Sequence, residues 1–268
     1  MPVKPAWRLA QWSAADRVLA GTTTRHGGSS VDSVMATNNM SLRVGDALQH
    51  VQANRLALRH ALQRAVQPPR STSQAPLHLQ WLDQVHGSHC RYVDAAGAQQ
   101  GLRPEADAMW TDQAGVGLVV QSADCVPVVI ADSRGEVIGA AHGGWRGLLD
   151  NVLTQLLQAM PVSSDQLQAW VGPCIGAASF EVGPDVWQPL GEDYPEAVTT
   201  HAQDPAKRMV DLARVAELQL RRSGVGQVSQ SGLCTYTQDD FYSHRRATHE
   251  QGAPARSGRM ATFICRIL

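Results

Sequence analysis

The chain has 268 residues, of which 43% are hydrophobic and 18% are charged. This balance is typical of an ordinary globular protein with a full core, and it excludes a disordered chain. Lys and Arg number 23 against 24 Asp and Glu, so the formal net charge is −1, and the lack of a basic surplus argues against nucleic acid or an anionic membrane as a partner.

The first half of the chain predicts two strands and one long helix. Val18–Thr24 is predicted to be a strand that runs into a glycine-containing turn. A helix is predicted from Asp46, whose side chain can cap it, through Val66, with Pro68-Pro69 ending it. Leu77–Trp81 alternates in hydrophobicity like a strand and leads to His86.

The second half predicts more strands, with a hairpin among them. Two apolar strands flank Ala123-Asp124-Cys125, and a tight turn leads from the second of them into a third, which predicts a hairpin. These predicted strands are Val116–Gln121, Val126–Ala131 and Val137–Ala141. Further predicted elements are a helix over Trp145–Met160, a strand over Leu167–Val171, a helix over Asp211–Arg222 and a strand over Met260–Leu268.

Strands and helices follow one another without a regular βαβ rhythm. We therefore expect an α+β fold, with a mixed β-sheet and packed helices, in a single domain over residues 1–268. The five cysteines are scattered and form no C-x-x-C pair, which favours a reducing compartment. No apolar segment has the length of a signal peptide or membrane span, so we expect a cytoplasmic protein.

One cysteine and two histidines lie at the ends of predicted strands, beside small residues: His86, Cys125 and His142. Thiolate sulfur and imidazole nitrogen are the ligands that zinc prefers, and catalytic zinc sites keep a fourth position open to water. Because strand ends in one sheet tend to cluster, these three side chains can form such a site. Each residue, taken alone, is also compatible with a purely structural role.

The same residues allow a second interpretation, in which Cys125 is a thiolate nucleophile and His142 its base. Asp124 or another acid would then orient the histidine. Copper is an improbable cofactor, because a multicopper oxidase needs about ten histidines, typically in His-x-His pairs, and this chain has 10 in total without such a pair.

Four arginines stand beside turn-forming residues: Arg25, Arg146, Arg245 and Arg259. Their guanidinium groups suit an anionic ligand such as phosphate, and a solvated surface position is the alternative for each. The chain has neither a P-loop nor a G-x-G-x-x-G fingerprint, which argues against an ATPase or a dehydrogenase.

Several motifs together resemble those of the YfiH-like family, which is also labelled laccase domain or multicopper polyphenol oxidoreductase. They occur in order along nearly the whole chain and include Thr24-Arg-His-Gly-Gly28, Gln84-Val-His-Gly87, Ala106-Asp-Ala108, Ser122-Ala-Asp-Cys-Val-Pro127, Ala141-His-Gly-Gly-Trp-Arg-Gly147, Gly172-Pro-Cys-Ile175, Leu233-Cys-Thr-Tyr236 and Phe241-Tyr-Ser-His-Arg-Arg246.

The resemblance implies an α+β fold like that of cysteine hydrolases, with zinc on His86, Cys125 and His142. With Asp124 from the nucleophile interpretation, these residues are the expected catalytic set. It also implies phosphorolysis of adenosine, inosine, guanosine and methylthioadenosine, together with deamination of adenosine. Purine nucleosides and phosphate are then the expected partners. Alternatives are an amidase or hydrolase with a cysteine nucleophile acting on a peptide-like or cell-wall precursor, a polyphenol oxidase as the label suggests, or a non-catalytic nucleotide-binding domain.

Overall fold

The computed structural model describes residues 7–14, 16–35, 37–67 and 76–267. Its strands are β1 Trp7–Leu9, β2 Val18–Thr23, β3 His78–Trp81, β4 Cys90–Tyr92, β5 Ala108–Thr111, β6 Val116–Ser122, β7 Val126–Asp132, β8 Ile138–Gly143, β9 Leu167–Val171, β10 Glu181–Val182, β11 Val198–Thr200, β12 Arg208–Val210, β13 Gln227–Gln230 and β14 Met260–Arg266. Its α-helices are α1 Leu48–Val66, α2 Ala95–Gln100, α3 Trp145–Leu149, α4 Val152–Ala159, α5 Pro184–Asp193, α6 Leu212–Arg222 and α7 His244–Gln251.

Two larger sheets organise the fold. One has the strand order β1-β2-β14-β6-β3, and the other has the order β13-β9-β7-β8-β5-β4. Both are mixed, because β3 pairs with β6, β4 with β5, and β13 with β9 in parallel, whereas the remaining pairs are antiparallel. A small antiparallel sheet joins β10, β12 and β11.

The two large sheets pack face to face, with helices on their outer faces. Along β7, Val129 faces the other sheet, in one cluster with Leu118 of β6 and Ile264 of β14. The alternate residue Val128 belongs instead to a cluster with the buried leucines of α4 and α6. On the far side, α1 packs on Phe263 of β14 and its neighbours. The layers are therefore helix, sheet, sheet, helix, which explains why β6 and β7 are apolar on both faces.

The segment between β6 and β7 crosses from one sheet to the other. The sequence predicts two strands around Asp124, and the structure confirms both but places them in different sheets. Asp124 itself has a φ of 91°, a left-handed conformation that non-glycine residues seldom adopt. This sharp crossover sets Cys125 at the start of β7, at the edge where the two sheets meet.

The α+β class is confirmed, with three sheets in place of the single mixed sheet that we expected. The predicted hairpin is confirmed by the antiparallel pairing of β7 with β8. The predicted helix over Trp145–Met160 is instead two helices, α3 and α4, because Asn151 has a left-handed φ of 60°. That the domain extends over residues 1–268 stays a prediction, and Pro68-Pro69 and Leu268 lie outside the described residues.

The predicted cap of α1 is also wrong. The helix begins at Leu48, with Ala47 at the N-cap position and no side-chain cap. The carboxylate of Asp46 accepts hydrogen bonds from Ser30 and Asn39, which anchor the preceding loop. In the part of the chain that the structure describes, no helix combines the length and the hydrophobicity needed to cross a membrane.

Candidate metal centre

The hairpin of β7 and β8 brings Cys125 and His142 together. Pro127 pairs with His142 across the hairpin, and Val126 pairs with Gly143, so Cys125 lies one step beyond the last pair. Gly144, which follows Gly143 in the chain, has no space for a side chain. A Cβ there would be 2.8 Å from His86 Cδ2 and 3.5 Å from Cys125 Sγ. The Gly-Gly pair after His142 therefore lets the histidine loop approach the thiol.

His86 is supplied by the loop that follows β3. The Gln84 amide fixes this loop to β6, since its Nε2 donates to the Gln121 carbonyl at 2.8 Å and its Oε1 accepts from the Gln121 N–H at 2.7 Å. His86 has a left-handed φ of 63°, an unfavourable conformation for a residue with a Cβ, which surrounding contacts must hold in place.

The buried carboxylate of Asp107 supplies those contacts. It accepts hydrogen bonds from three successive backbone N–H groups, those of Val85 at 3.1 Å, His86 at 3.1 Å and Gly87 at 2.8 Å. Its Oδ1 also lies 2.8 Å from Nδ1 of His142. One carboxylate thus positions both histidines. Because Nδ1 of His142 is engaged, Nε2 is the atom left to bind a metal, the usual carboxylate–histidine arrangement around zinc.

The three donor atoms fit a metal. The ligating atoms of His86, Cys125 and His142 all lie within 4.8 Å of one another, and Cys125 Sγ is 3.9 Å from His86 Nε2. Tetrahedral zinc with its usual bond lengths separates such ligands by roughly 3.4–3.6 Å, so a small contraction suffices. His86 is exposed, Cys125 is partly exposed and His142 is buried, which leaves one side of the group open to a ligand. The predicted convergence of these residues is confirmed.

The charges of the site favour a thiolate. Burial by itself would raise the pKa of Cys125, but the adjacent His142 and His86 outweigh it and lower the pKa to about 6. Burial would lower the pKa of His142, whereas the Cys125 thiolate and the Asp107 carboxylate raise it to about 9. The pair is therefore disposed as thiolate and imidazolium at neutral pH when no metal is bound.

A cavity of about 380 Å³ opens beside the group, a volume suited to a small organic ligand. Besides the three donor residues it is lined by Arg43, Arg103, His244 and Arg259. Arg259 is the one predicted phosphate ligand that lines it. Burial lowers the pKa of Arg259, and the negative charges of Cys125 and Asp124 oppose that effect.

The other three predicted arginines lie elsewhere. The guanidinium of Arg25 stacks 5.3 Å from the Tyr242 ring, beside a separate cavity. That of Arg146 lies over its neighbour Trp145, on the exposed surface. Arg245 turns its side chain toward Glu181, donating to that residue's carbonyl oxygen at 2.9 Å. A neighbouring turn residue thus does not determine where an arginine side chain points.

Asp124 also occupies a different place from the one expected for an orienting acid. Its carboxylate accepts from Thr235 Oγ1 at 2.6 Å and from the Arg245 backbone N–H at 2.7 Å, which stabilises the strained crossover. The carboxylate on His142 is that of Asp107, the other acid that the sequence left open. The sequence signal for it was an acid between two small residues, Ala106 and Ala108, at the start of a strand.

The fold and the donor set define a class of protein: a mixed α+β chain with a His-Cys-His group at the ends of strands. The family described as multi-copper polyphenol oxidoreductase laccase matches residues 19–267. The chain belongs to this family, which is the YfiH-like family of the sequence comparison.

Relatives and solved structures cover nearly the whole chain. A purine nucleoside phosphorylase of Xylella fastidiosa (strain Temecula1) is 38% identical over an alignment of 269 positions that covers 97% of this chain and 96% of that protein. Purine nucleoside phosphorylase YfiH of Escherichia coli K12 is 32% identical over 257 residues, 96% and 97% of the two chains. A Neisseria meningitidis protein of family DUF152 matches with a TM-score of 0.82 at 35% identity, covering 97% of this chain and 99% of its own. YlmD of Geobacillus stearothermophilus matches with 0.83 at 29% identity, covering 100% and 98%.

Proposed function

We propose that this protein is a zinc-dependent purine nucleoside phosphorylase that also deaminates adenosine. The single observation that carries the proposal is the His86, Cys125 and His142 donor group at the wall of a ligand-sized cavity. Relatives named purine nucleoside phosphorylase, at 32–38% identity over nearly the full chain, support the reaction class. Adenosine, inosine, guanosine and methylthioadenosine are the proposed substrates, and the cytoplasm is the proposed location.

In phosphorolysis, an oxygen of inorganic phosphate forms a bond to C1′ of the ribose while the C1′–N9 bond breaks. The purine leaves with the electron pair and takes up a proton, which gives the free base and ribose 1-phosphate. Arg259 is the proposed phosphate ligand, because it is the predicted arginine that lines the cavity. Its charge lies close enough to Cys125 to be felt electrostatically, so phosphate would be held beside the metal site.

His244 is proposed to bind the purine. His244 is the first residue of α7, and it lines the same cavity as the metal site. Burial, followed by the positive charge of Arg259, lowers the pKa of His244. The ring is therefore neutral at pH 7 and offers one hydrogen-bond donor and one acceptor, as the polar edge of a purine requires.

In deamination, a water oxygen bonds to C6 of the adenine ring of adenosine, and the bond from C6 to the exocyclic amino nitrogen breaks. One proton of the water passes to that nitrogen, which leaves as ammonia, and the other to N1, which gives inosine. Zinc bound at the site supplies Lewis-acid chemistry, including activation of water. The chain's own part is to orient the donors: Asp107 holds His142 through Nδ1 and holds the His86 loop through its N–H groups.

A second candidate function is supported by the same geometry. The Cys125 thiol interacts with the His142 imidazole, which in turn contacts the Asp107 carboxylate. The pKa of the thiol is lowered to about 6. An amidase with a cysteine nucleophile uses the same arrangement of groups. Such an enzyme forms a covalent thioester with its substrate. The polyphenol oxidase label has less support, since the described residues offer one group of this kind for a metal.

The test is chromatography of adenosine incubated with zinc-loaded protein, with and without phosphate. We expect adenine and ribose 1-phosphate with phosphate, and slower formation of inosine without it, with both lost in His142→Ala. Arg146→Gln, an exposed arginine outside the cavity, serves as the matched control and should keep full activity. No product in either condition would overturn the proposal and favour the amidase, whose adduct mass spectrometry would then detect on Cys125.

A further inference from the structure

Two arginines pair with one carboxylate at the outer part of the cavity, and a third arginine lies near them. Arg43 Nη2 lies 2.6 Å from Asp83 Oδ2, and Arg103 Nη1 lies 3.9 Å from Asp83 Oδ1. Behind them, Arg55 stacks at 3.8 Å over the Trp81 ring and donates to the Met40 carbonyl. We call Arg43, Arg55, Arg103 and Asp83 the arginine cluster.

The arginine cluster carries more positive charge than its one acid balances. Among the described residues, Asp83 is the one carboxylate that pairs with the arginines of this cluster, and it lies within ion-pair distance of Arg43 and Arg103. Burial, and then the charge of Arg103, lower the pKa of Arg55 to about 10, and the charge of Asp83 opposes them. Clustered arginines with unbalanced charge gain from an anionic ligand.

This charge faces the same cavity as the metal site but from another side. Arg43, Asp83 and Arg103 all line the cavity of about 380 Å³ that His86, Cys125 and His142 also line. Arg43 is 58% exposed and Arg103 33% exposed at the side chain, so they stand at its mouth. Arg259 lies deeper, where its Nη1 donates to the Ser257 and Gly258 carbonyls.

A neutral nucleoside offers no anionic group to either of the two cationic regions of the cavity, that of Arg259 or that of Arg43 and Arg103. We propose that Arg43 and Arg103 form a second anion subsite that holds a phosphate group at the mouth of the cavity. The phosphate belongs either to a purine nucleoside 5′-phosphate or to the inorganic co-substrate. Arg forks bind two phosphate oxygens side by side, and Asp83 competes with the ligand for them. This inference rests on the proposed function, since it assumes a purine-type ligand in the cavity.

The test is calorimetric titration of the zinc-loaded full chain with adenosine, adenosine 5′-phosphate and inorganic phosphate, none of which requires turnover. In Arg43→Gln and Arg103→Gln we expect affinity for the phosphorylated ligand to fall by about ten-fold, the scale of one charge-assisted hydrogen bond, with adenosine binding unchanged. Loss confined to adenosine 5′-phosphate identifies a nucleotide as the source. Loss of inorganic phosphate binding identifies the co-substrate.

Asp83→Asn is expected to change phosphate affinity in the opposite direction from Arg43→Gln and Arg103→Gln. Removing the competing carboxylate should strengthen phosphate binding several-fold, whereas an ion pair with a purely structural role predicts no gain. Arg146→Gln is the control arginine, exposed and outside the cavity. Unchanged affinity for both phosphate ligands in the Arg43 and Arg103 variants, or an equal loss for adenosine, would overturn the proposal. Failure of the proposed function is distinguishable, because it shows as absent products and not as absent phosphate binding.

Discussion

Asp107 Oδ1 lies 2.8 Å from His142 Nδ1, and both side chains are buried. The same carboxylate accepts the N–H groups of the loop that carries His86. The two histidine ligands, which are 56 positions apart in the sequence, are therefore oriented by one side chain. Burial by itself would raise the pKa of Asp107, but the hydrogen bond and the positive charge of His142, together with the backbone hydrogen bonds of the loop, lower it. The carboxylate is ionised at neutral pH and keeps all four contacts.

Asp107→Asn is expected to weaken zinc binding by about 10–100-fold, the usual cost of losing an outer partner of a ligating histidine. The amide keeps the shape of the side chain but removes its charge and half of its acceptor capacity. Competition with a chelator of known affinity measures the change. Asp112→Asn is the matched control, because Asp112 is an exposed acid that bonds Tyr92 and lies apart from the site. Equal zinc affinity in the Asp107 variant and wild type would show that the contact does not support the metal.

Gly144→Ala is expected to displace His86. The new Cβ would lie 2.8 Å from Cδ2 of that ring, closer than van der Waals contact allows, so the ring must move away from Cys125. Zinc content of the purified variant should drop while the melting temperature changes little. Gly191→Ala in α5 is the control, since its Cβ would meet its nearest neighbour, Val198, at an ordinary 3.8 Å. A variant at Gly144 with full zinc would contradict the packing described for the site.

The Cys125 thiol should be unusually reactive once zinc is removed by a chelator. Its pKa is lowered to about 6, so the thiolate predominates at neutral pH and is lost as the pH falls through that value. Peptide-level mass spectrometry of alkylation against pH should give a midpoint near 6 for Cys125. Cys90 and Cys265, whose pKa burial raises to about 12, serve as unreactive internal references. A midpoint at the ordinary value of about 8.5 would show that the histidines do not stabilise the thiolate.

Arg259→Gln is expected to raise the KM for phosphate by about ten-fold or more, because a charge-assisted contact is replaced by a neutral one. The KM for adenosine should change less. Steady-state kinetics at varied phosphate measures this, with Arg25→Gln as the comparison, since Arg25 lines a different cavity. A phosphate KM that rises in the Arg25 variant and not in the Arg259 variant would reverse the assignment.

Local sequence patterns predicted the helices and strands better than they predicted which strands pair in a sheet. Asp211 caps helix α6, and its side chain accepts a hydrogen bond from the Arg214 N–H at 2.9 Å. The capping residue and the apolar face that predict this helix all lie within the segment itself. The strands on either side of Asp124 were predicted from their apolar runs, but their assignment to two different sheets depends on β14 and β9, far along the chain. The left-handed residue Asn151, which separates α3 from α4, is not a glycine or proline that would have predicted the break.

The metal donors could be predicted because their residue types are specific to a chemistry and each marks the end of a strand. The signal for Asp107 is weaker, an acid between Ala106 and Ala108 at the start of a strand. Its role comes from contacts to a loop about 20 residues before it and to a ring 35 residues after it. The arginines show the same limit. Long side chains reach several ångströms from their backbone, so Arg43 and Arg103 line the cavity while Arg245 turns away from it.

The most direct test of the central claim is mass spectrometry of the sugar product formed from adenosine in phosphate labelled with heavy oxygen. Phosphorolysis predicts ribose 1-phosphate in which every phosphate oxygen carries the label, because a phosphate oxygen itself bonds to C1′. The product should be absent in His142→Ala and unchanged in Arg146→Gln. Free ribose without label, or adenosine recovered intact from zinc-loaded protein, would contradict the account.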